Sequence, residues 1–359
     1  MRYNRLLSVS ADVRSAGDVI ASEDTWVIGD FVWTAFDYIG ESSIGFETET
    51  ELIDECAALE PFPFHLSYCG DLDLVGDPKP QAAYRSVLWG VSAIEVAVHV
   101  PIAPGCGERV GPWGWVEERP SWSWGGHEGP GSTGMHINVY AKDCCDSVRL
   151  YVNGEAVGGD APVSFATQYT ATFDPVQYKP GNLTAAGFKN GSVVPGAVKT
   201  LMTAGAVAKL VLTVDQSTIR HSRNDLAYVS VAAHDAAGTL VPDSDLNVTF
   251  KLTAHSAAST DGDRVGAGTF DTGGDASTGA SSGALLSGAP PLVLEIAAVG
   301  SGDPKDLTTM AYGSSKKLWR GRALAILRPA VNAAGPGTAT LTATAGDLTA
   351  SVSISTTAW

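Results

Sequence analysis

Trp33, Asp37, Tyr38 and Glu41 crowd into nine residues at the end of an apolar run. An indole and two carboxylates at this spacing suit a polyhydroxylated ring. The flat face of Trp33 can stack on the apolar face of a pyranose. Asp37 and Glu41 can accept hydrogen bonds from ring hydroxyls. The alternatives are a packed aromatic at a strand end and a salt bridge that braces the loop. Upstream, Val27, Ile28, Phe31 and Val32 fit a strand buried on both faces, as in a parallel sheet. Such sheets carry their sites at the carboxyl ends of strands. Asp30 falls inside that strand, where a carboxylate needs a partner, and is read as structural.

Several elements must position these side chains. Residues 47–60 are acidic, and Leu52, Ile53, Cys56 and Leu59 fall at helical spacing, which predicts a short helix or an acidic insertion. A turn-rich loop covers 62–79. Pro80 then opens a helical pattern, where its missing N–H is harmless, and Ala83, Tyr84, Val87 and Leu88 form its apolar stripe. Strand, loop and helix make one terminal β/α unit, assigned to residues 1–92. Residues 93–124, with many Gly, Pro and Trp, are read as a linker.

Alternation begins at Met135, and Asn153-Gly154 and Asn190-Gly191 are hairpin signals. Residues 125–206 are expected to form a β-sandwich. A second all-β module is expected over 207–359, starting with Leu210, Leu212 and Val214. Residues 255–290 are rich in Ser, Gly, Ala, Thr and Asp and read as a long loop. The fold class is therefore mainly β, a terminal β/α unit followed by two immunoglobulin-like sandwiches.

Composition narrows the function classes. Hydrophobic residues make up 44% of the 359, enough for real cores, while 40 Gly and 19 Pro favour turn-rich β modules. A net charge of −16 argues against nucleic-acid binding by a basic face. No apolar run is long enough for a membrane span, and the first residues lack a signal-peptide h-region. A longer parent could still be secreted, so the compartment stays open. Cys56, Cys69, Cys106, Cys144 and Cys145 lack zinc spacing and are expected to be free thiols, with Cys144 and Cys145 on opposite faces of a strand. Asp225 and Asp235 lack a dense oxygen-ligand loop. No metal and no cofactor are expected, and the oligomeric state stays open.

The run from Trp26 to Glu41 resembles the last barrel strand of glycoside hydrolase family 2, the β-galactosidase-like enzymes. The tract from Gly70-Asp71-Leu72-Asp73-Leu74 through Lys79-Pro80-Gln81 to Tyr84-Arg85 and Trp89 is similar to the segment that leads into the closing helix of that TIM barrel. The segment Trp122-Ser123-Trp124-Gly125-Gly126-His127-Glu128-Gly129 resembles the opening of the sandwich that follows. The tracts Arg223–Val231 and Trp319–Leu327 are similar to the family's last immunoglobulin-like module, which also has relatives in adhesins. The sequence departs from the pattern at Asp30, where Glu is common, and at Ser42-Ser43, where Pro is common.

The resemblance implies a C-terminal portion of a retaining hydrolase of β-linked sugars, with Trp33 at the barrel mouth. It implies a β-galactoside-like carbohydrate as partner once the full barrel is present. Retaining chemistry needs two carboxyl groups about 5–5.5 Å apart. In the family both are glutamates on earlier strands, the acid/base following an asparagine. This chain has no Asn-Glu pair, and Glu23 is the only glutamate before the strand. No residue is therefore assigned as nucleophile or acid/base, and the chain alone is expected to be inactive. The alternative is a non-catalytic carbohydrate-binding or adhesion-type β-sandwich protein.

Overall fold

The computed structural model describes residues 33–41, 47–50, 66–102, 107–110, 115–129, 134–255, 293–308, 313–333 and 335–358. The strand expected around Val27–Val32, with Asp30, lies outside them. The chain divides into two compact units, residues 1–204 with 304–307, and residues 205–303 with 308–359.

The first unit opens with β1 (Tyr38–Ile39), β2 (Glu47–Thr50), β3 (Leu66–Ser67) and helix α1 (Pro80–Leu88). Then come β4 (Ile94–His99), β5 (Gly107–Val110), β6 (Glu118–Arg119), β7 (Met135–Ala141), β8 (Ser147–Val152) and β9 (Glu155–Pro162). β10 (Thr170–Val176), β11 (Asn182–Lys189) and β12 (Ser192–Met202) complete it. Two four-stranded sheets, in the orders β10-β7-β4-β6 and β12-β11-β8-β9, form a sandwich. Ile94, Val96 and Val98 alternate inward from one sheet and meet Val148, Leu150 and Val152 from the other. The two Asn-Gly pairs close β8 to β9 and β11 to β12. Their φ values, 52° and 83° at Asn153-Gly154 and 51° and 76° at Asn190-Gly191, are those of the mirror-image turn that matches strand twist.

Three expectations change here. The stretch 93–124, read as a linker, holds β4, which pairs with β7 from Ile94 opposite Ala141 to Val98 opposite Ile137. It also supplies Trp122, fully buried, whose Nε1 donates to the Lys179 carbonyl at 2.9 Å and whose ring meets Tyr178 at 4.8 Å. Glycines and prolines only delimit these segments; the cross-strand partner decides their state. Glu47–Thr50, expected as the start of a helix or an insertion, is a strand paired with β5. The partner strand, about sixty residues away, is invisible to helical periodicity. Cys144 and Cys145, expected as free thiols, are joined as a disulfide between neighbours.

Helix α1 lies on the first sheet. Tyr84, Val87 and Leu88 pack with Ala97 of β4, Tyr140 of β7 and Trp115. Glu118 is fully buried beside this cluster. Its carboxylate accepts from the Tyr140 hydroxyl at 2.5 Å and from the Asn138 amide. A buried carboxylate persists only with such donors. The network ties β6 to β7 beneath the helix.

The second unit consists of β13 (Lys209–Val214), β14 (Thr218–Arg220), β15 (Ala227–His234), β16 (Asn247–His255), β17 (Leu294–Gly300) and β18 (Ser315–Lys317). β19 (Arg322–Pro329), β20 (Thr338–Ala345) and β21 (Leu348–Thr357) follow. The sheets run β13-β15-β19-β17 and β14-β21-β20-β16-β18. Alternation is regular. Ala339, Leu341, Ala343 and Ala345 of β20 face the core, as do Ala227, Val229, Val231 and Ala233 of β15. The outward threonines of β20 pair hydroxyl to hydroxyl with serines of β21, Thr338 with Ser355, Thr340 with Ser353 and Thr342 with Ser351, at 2.9, 3.0 and 2.9 Å. Such cross-strand pairs hold register on the wet face.

Candidate functional site

The site is a short exposed segment held from below. Trp33 is 74% exposed, and its Nε1 donates to the Tyr38 hydroxyl at 3.1 Å. The two rings meet edge to face at 5.9 Å. The Tyr38 hydroxyl in turn donates to Glu41 Oε2. Glu41 takes a left-handed backbone, φ 44°, which brings its side chain back to Tyr38. Trp33, Tyr38 and Glu41 thus form one chain of indole, phenol and carboxylate. The peptide between Trp33 and Thr34 is cis. Phe36 and Ile39 are exposed beside this chain.

Asp37 points the other way. It is 3% exposed, and its Oδ1 accepts from Lys79 Nζ at 2.8 Å and from the Gly70 amide at 2.8 Å. Lys79, equally buried, also donates to the Tyr68 carbonyl at 2.6 Å and sits 3.6 Å above the Tyr68 ring. These are the contacts of a brace, the alternative weighed for this residue.

Backbone pairing completes the support. Asp71 and Leu72 donate to the carbonyls of Thr34 and Ala35 at 3.0 and 2.8 Å, and Asp37 donates to that of Leu72 at 2.8 Å. A Cβ on Gly70 would overlap the backbone of Phe36 and Asp37, so only glycine lets the two segments approach this closely. Gln81 Nε2 closes the junction on the Gly70 carbonyl at 2.6 Å.

Electrostatics follow from this burial. Asp73 Oδ1 accepts from the amides of Val75 and Asp77, both at 2.9 Å, and so shapes the turn before the helix. Burial, with the Asp77 charge nearby, raises its pKa to about 6 despite those bonds. Burial also raises Asp71, opposed by the Arg85 guanidinium that pairs with it.

Other residues singled out in the sequence take structural places. Trp122 and Trp124 belong to the sandwich core. Glu128 accepts from the Gly126 amide at 2.8 Å. Asp225 accepts from the Arg220 amide at 2.7 Å, and Asp235 from the amides of Gly205 and Thr239, both at 2.8 Å; these bonds hold both carboxyls below their ordinary range. The described residues contain no group of three or more His, Cys, Asp or Glu able to hold a metal. None of their helices is long and apolar enough to cross a membrane. Sequence reading gave no role to two participants. Tyr38, the bridge, stood in the same run; Lys79, forty-two residues from Asp37, had no local signal.

The chain is a modular β-sandwich protein of two units, the first of which carries the aromatic and carboxylate platform. The comparisons narrow this. Residues 134–195 match a domain of unknown function (DUF4982), and residues 210–274 match glycoside hydrolase family 2 C-terminal domain 5. A β-galactosidase of Bacteroides ovatus is 27% identical over 236 residues, covering 65% of this chain and 22% of the relative. A putative β-glucuronidase of Formosa agariphila is 24% identical, covering 65% and 19%. The crystal structure of a glycosyl hydrolase family 2 member from Bacteroides cellulosilyticus superposes with a TM-score of 0.70 at 27% identity, over 93% of this chain and 36% of that one. The chain thus spans about a fifth of the length of the curated relatives it matches. It is similar to a C-terminal part of glycoside hydrolase family 2 proteins.

Proposed function

We propose that this chain is the C-terminal portion of a retaining β-galactosidase-like hydrolase of terminal β-linked sugars. Residues 33–89 are the closing β/α unit of its TIM barrel, and both catalytic glutamates come from outside this sequence. Trp33 stacks on the sugar, Glu41 accepts from a hydroxyl, and Asp37 serves the platform from beneath. The exposed chain Trp33–Tyr38–Glu41 carries this reading. A three-quarters exposed indole held by a side-chain bond presents a rigid flat face, which costs little entropy to stack against. The absence of any Asn-Glu pair in the sequence supports the placement of the glutamates.

The test is hydrolysis of a panel of aryl β-glycosides by the purified 359-residue chain and by a chain extended upstream. The expected result is no turnover by the short chain and turnover by the long one, highest with galactosides. In the long chain Trp33→Ala is expected to lower kcat/KM about tenfold or more, the loss of about 1.4 kcal/mol or more of stacking. Turnover by the short chain would overturn the reading and make Glu41, Glu47 and Glu49 the first residues to replace.

A further inference from the structure

The platform and the helix behind it are joined through one buried charge pair. Asp37 lies between the exposed Trp33 and the Tyr38–Glu41 pair, yet points inward. Its partner Lys79 is the residue that caps helix α1. The far face of that helix is seated on the sandwich through Tyr84, Val87 and Leu88. The path from sandwich core to sugar-facing indole therefore runs through α1, Lys79 and Asp37. Backbone bonds from Asp71 and Leu72 to Thr34 and Ala35, and from the Asp37 amide to the Leu72 carbonyl, hold the main chain, but they leave the direction of the Asp37 side chain open.

We propose that Lys79 is the positioning residue of the sugar platform, holding Trp33, Tyr38 and Glu41 in register with the helix by locking Asp37 inward. The proposal rests on the sugar-binding reading above only for its functional consequence. Without the ammonium, an ionised Asp37 would lose a charged partner at 2.8 Å in a buried site, while the Gly70 amide still donates to Oδ1. The low-cost relief is for the Asp37 side chain to turn to water, which pulls on the short strand that carries Tyr38 opposite Ser67. That breaks the bond from Trp33 Nε1.

The experiment uses the full 359-residue chain with 5-fluorotryptophan and fluorine NMR. The Trp33 resonance is assigned by its loss in Trp33→Phe. Lys79→Met is expected to shift or broaden that resonance while those of Trp122 and Trp124, in the sandwich core, stay in place. Lys79→Arg is expected to restore it, because a guanidinium can still reach the carboxylate. In a titration with methyl β-galactoside, the Trp33 response is expected to weaken at least fivefold in Lys79→Met. An unchanged Trp33 resonance in Lys79→Met, with the other two in place, overturns the proposal. If Lys79→Met also loses the Trp122 and Trp124 signals, the double variant Asp37→Asn, Lys79→Met decides, since it removes both charges of the pair. A displaced Trp33 resonance there supports positioning, and a native one overturns it. A Trp33 signal that moves in Lys79→Met but ignores the sugar in the unsubstituted chain sinks the sugar-binding reading and leaves the positioning role standing.

Discussion

The segment from Trp33 to Leu88 and the sandwich of residues 205–358 are held together by opposite means. In the first, Asp37, Asp73, Lys79, Gln81 and Arg85 are buried, while Trp33, Phe36 and Ile39 are exposed. In the second, Leu341, Val229, Ala325 and their neighbours fill the core, and hydroxyls and charges face water. Apolar burial tolerates small shifts because it is non-directional. A buried charge network demands full pairing and fixed geometry. A surface that must present an indole in one orientation gains from the second kind of support.

Four measurements can break or sharpen this contrast. The largest effect is expected for Lys79→Met, which removes an ammonium paired with a buried carboxylate and costs the 33–88 segment about 3–5 kcal/mol. Amide exchange at residues 69–79 is expected to accelerate, with little change in β20. Next is Leu341→Ala in the apolar core, at about 2–5 kcal/mol. Its effect is expected in the melting of residues 205–358 and not in exchange near Asp37. If both variants loosen both regions equally, the contrast is wrong.

The third concerns pH. The folded pKa of Asp73, about 6, lies above its ordinary value, so between about pH 4 and 6 the folded state keeps a proton that the unfolded state has lost. Stability from this group is present below about pH 4 and lost as pH rises through 6. Asp73→Asn keeps the turn acceptor and cannot ionise. It is expected to slow exchange at 69–79 at pH 8, by on the order of 1–3 kcal/mol, with little gain at pH 4. A gain equal at both values would show that burial of the charge is not the cause. The smallest effect is expected for Thr340→Ala, which removes one outward hydroxyl pair and costs about 0.2–1 kcal/mol in denaturant.

Local chemistry was legible. Pro80 and the stripe of Tyr84, Val87 and Leu88 predict a helix that runs from Pro80 to Leu88. Asn153-Gly154 and Asn190-Gly191 predict hairpins that form there, because the turn depends on two residues alone. The alternation at Leu210 and from Thr338 marks true strands. Of the site, the run carrying Trp33, Asp37 and Glu41 stood out by residue type. The inward turn of Asp37 did not, since alternation near a chain reversal is too short to read.

The sequence by itself determined the class of modules, the helix, the hairpins and the cluster of groups able to meet a sugar. These follow from interactions a few residues long. Only the tertiary structure decided that Ile94–His99 is an inner strand and not a linker, and that Glu47–Thr50 pairs with Gly107–Val110. It alone set Lys79 against Asp37, and so separated the side chain that braces from those that face solvent. Each of these rests on a partner tens of residues away. A backbone amide or a buried charge must be satisfied by whatever the fold brings to it, and local pattern carries no record of that partner.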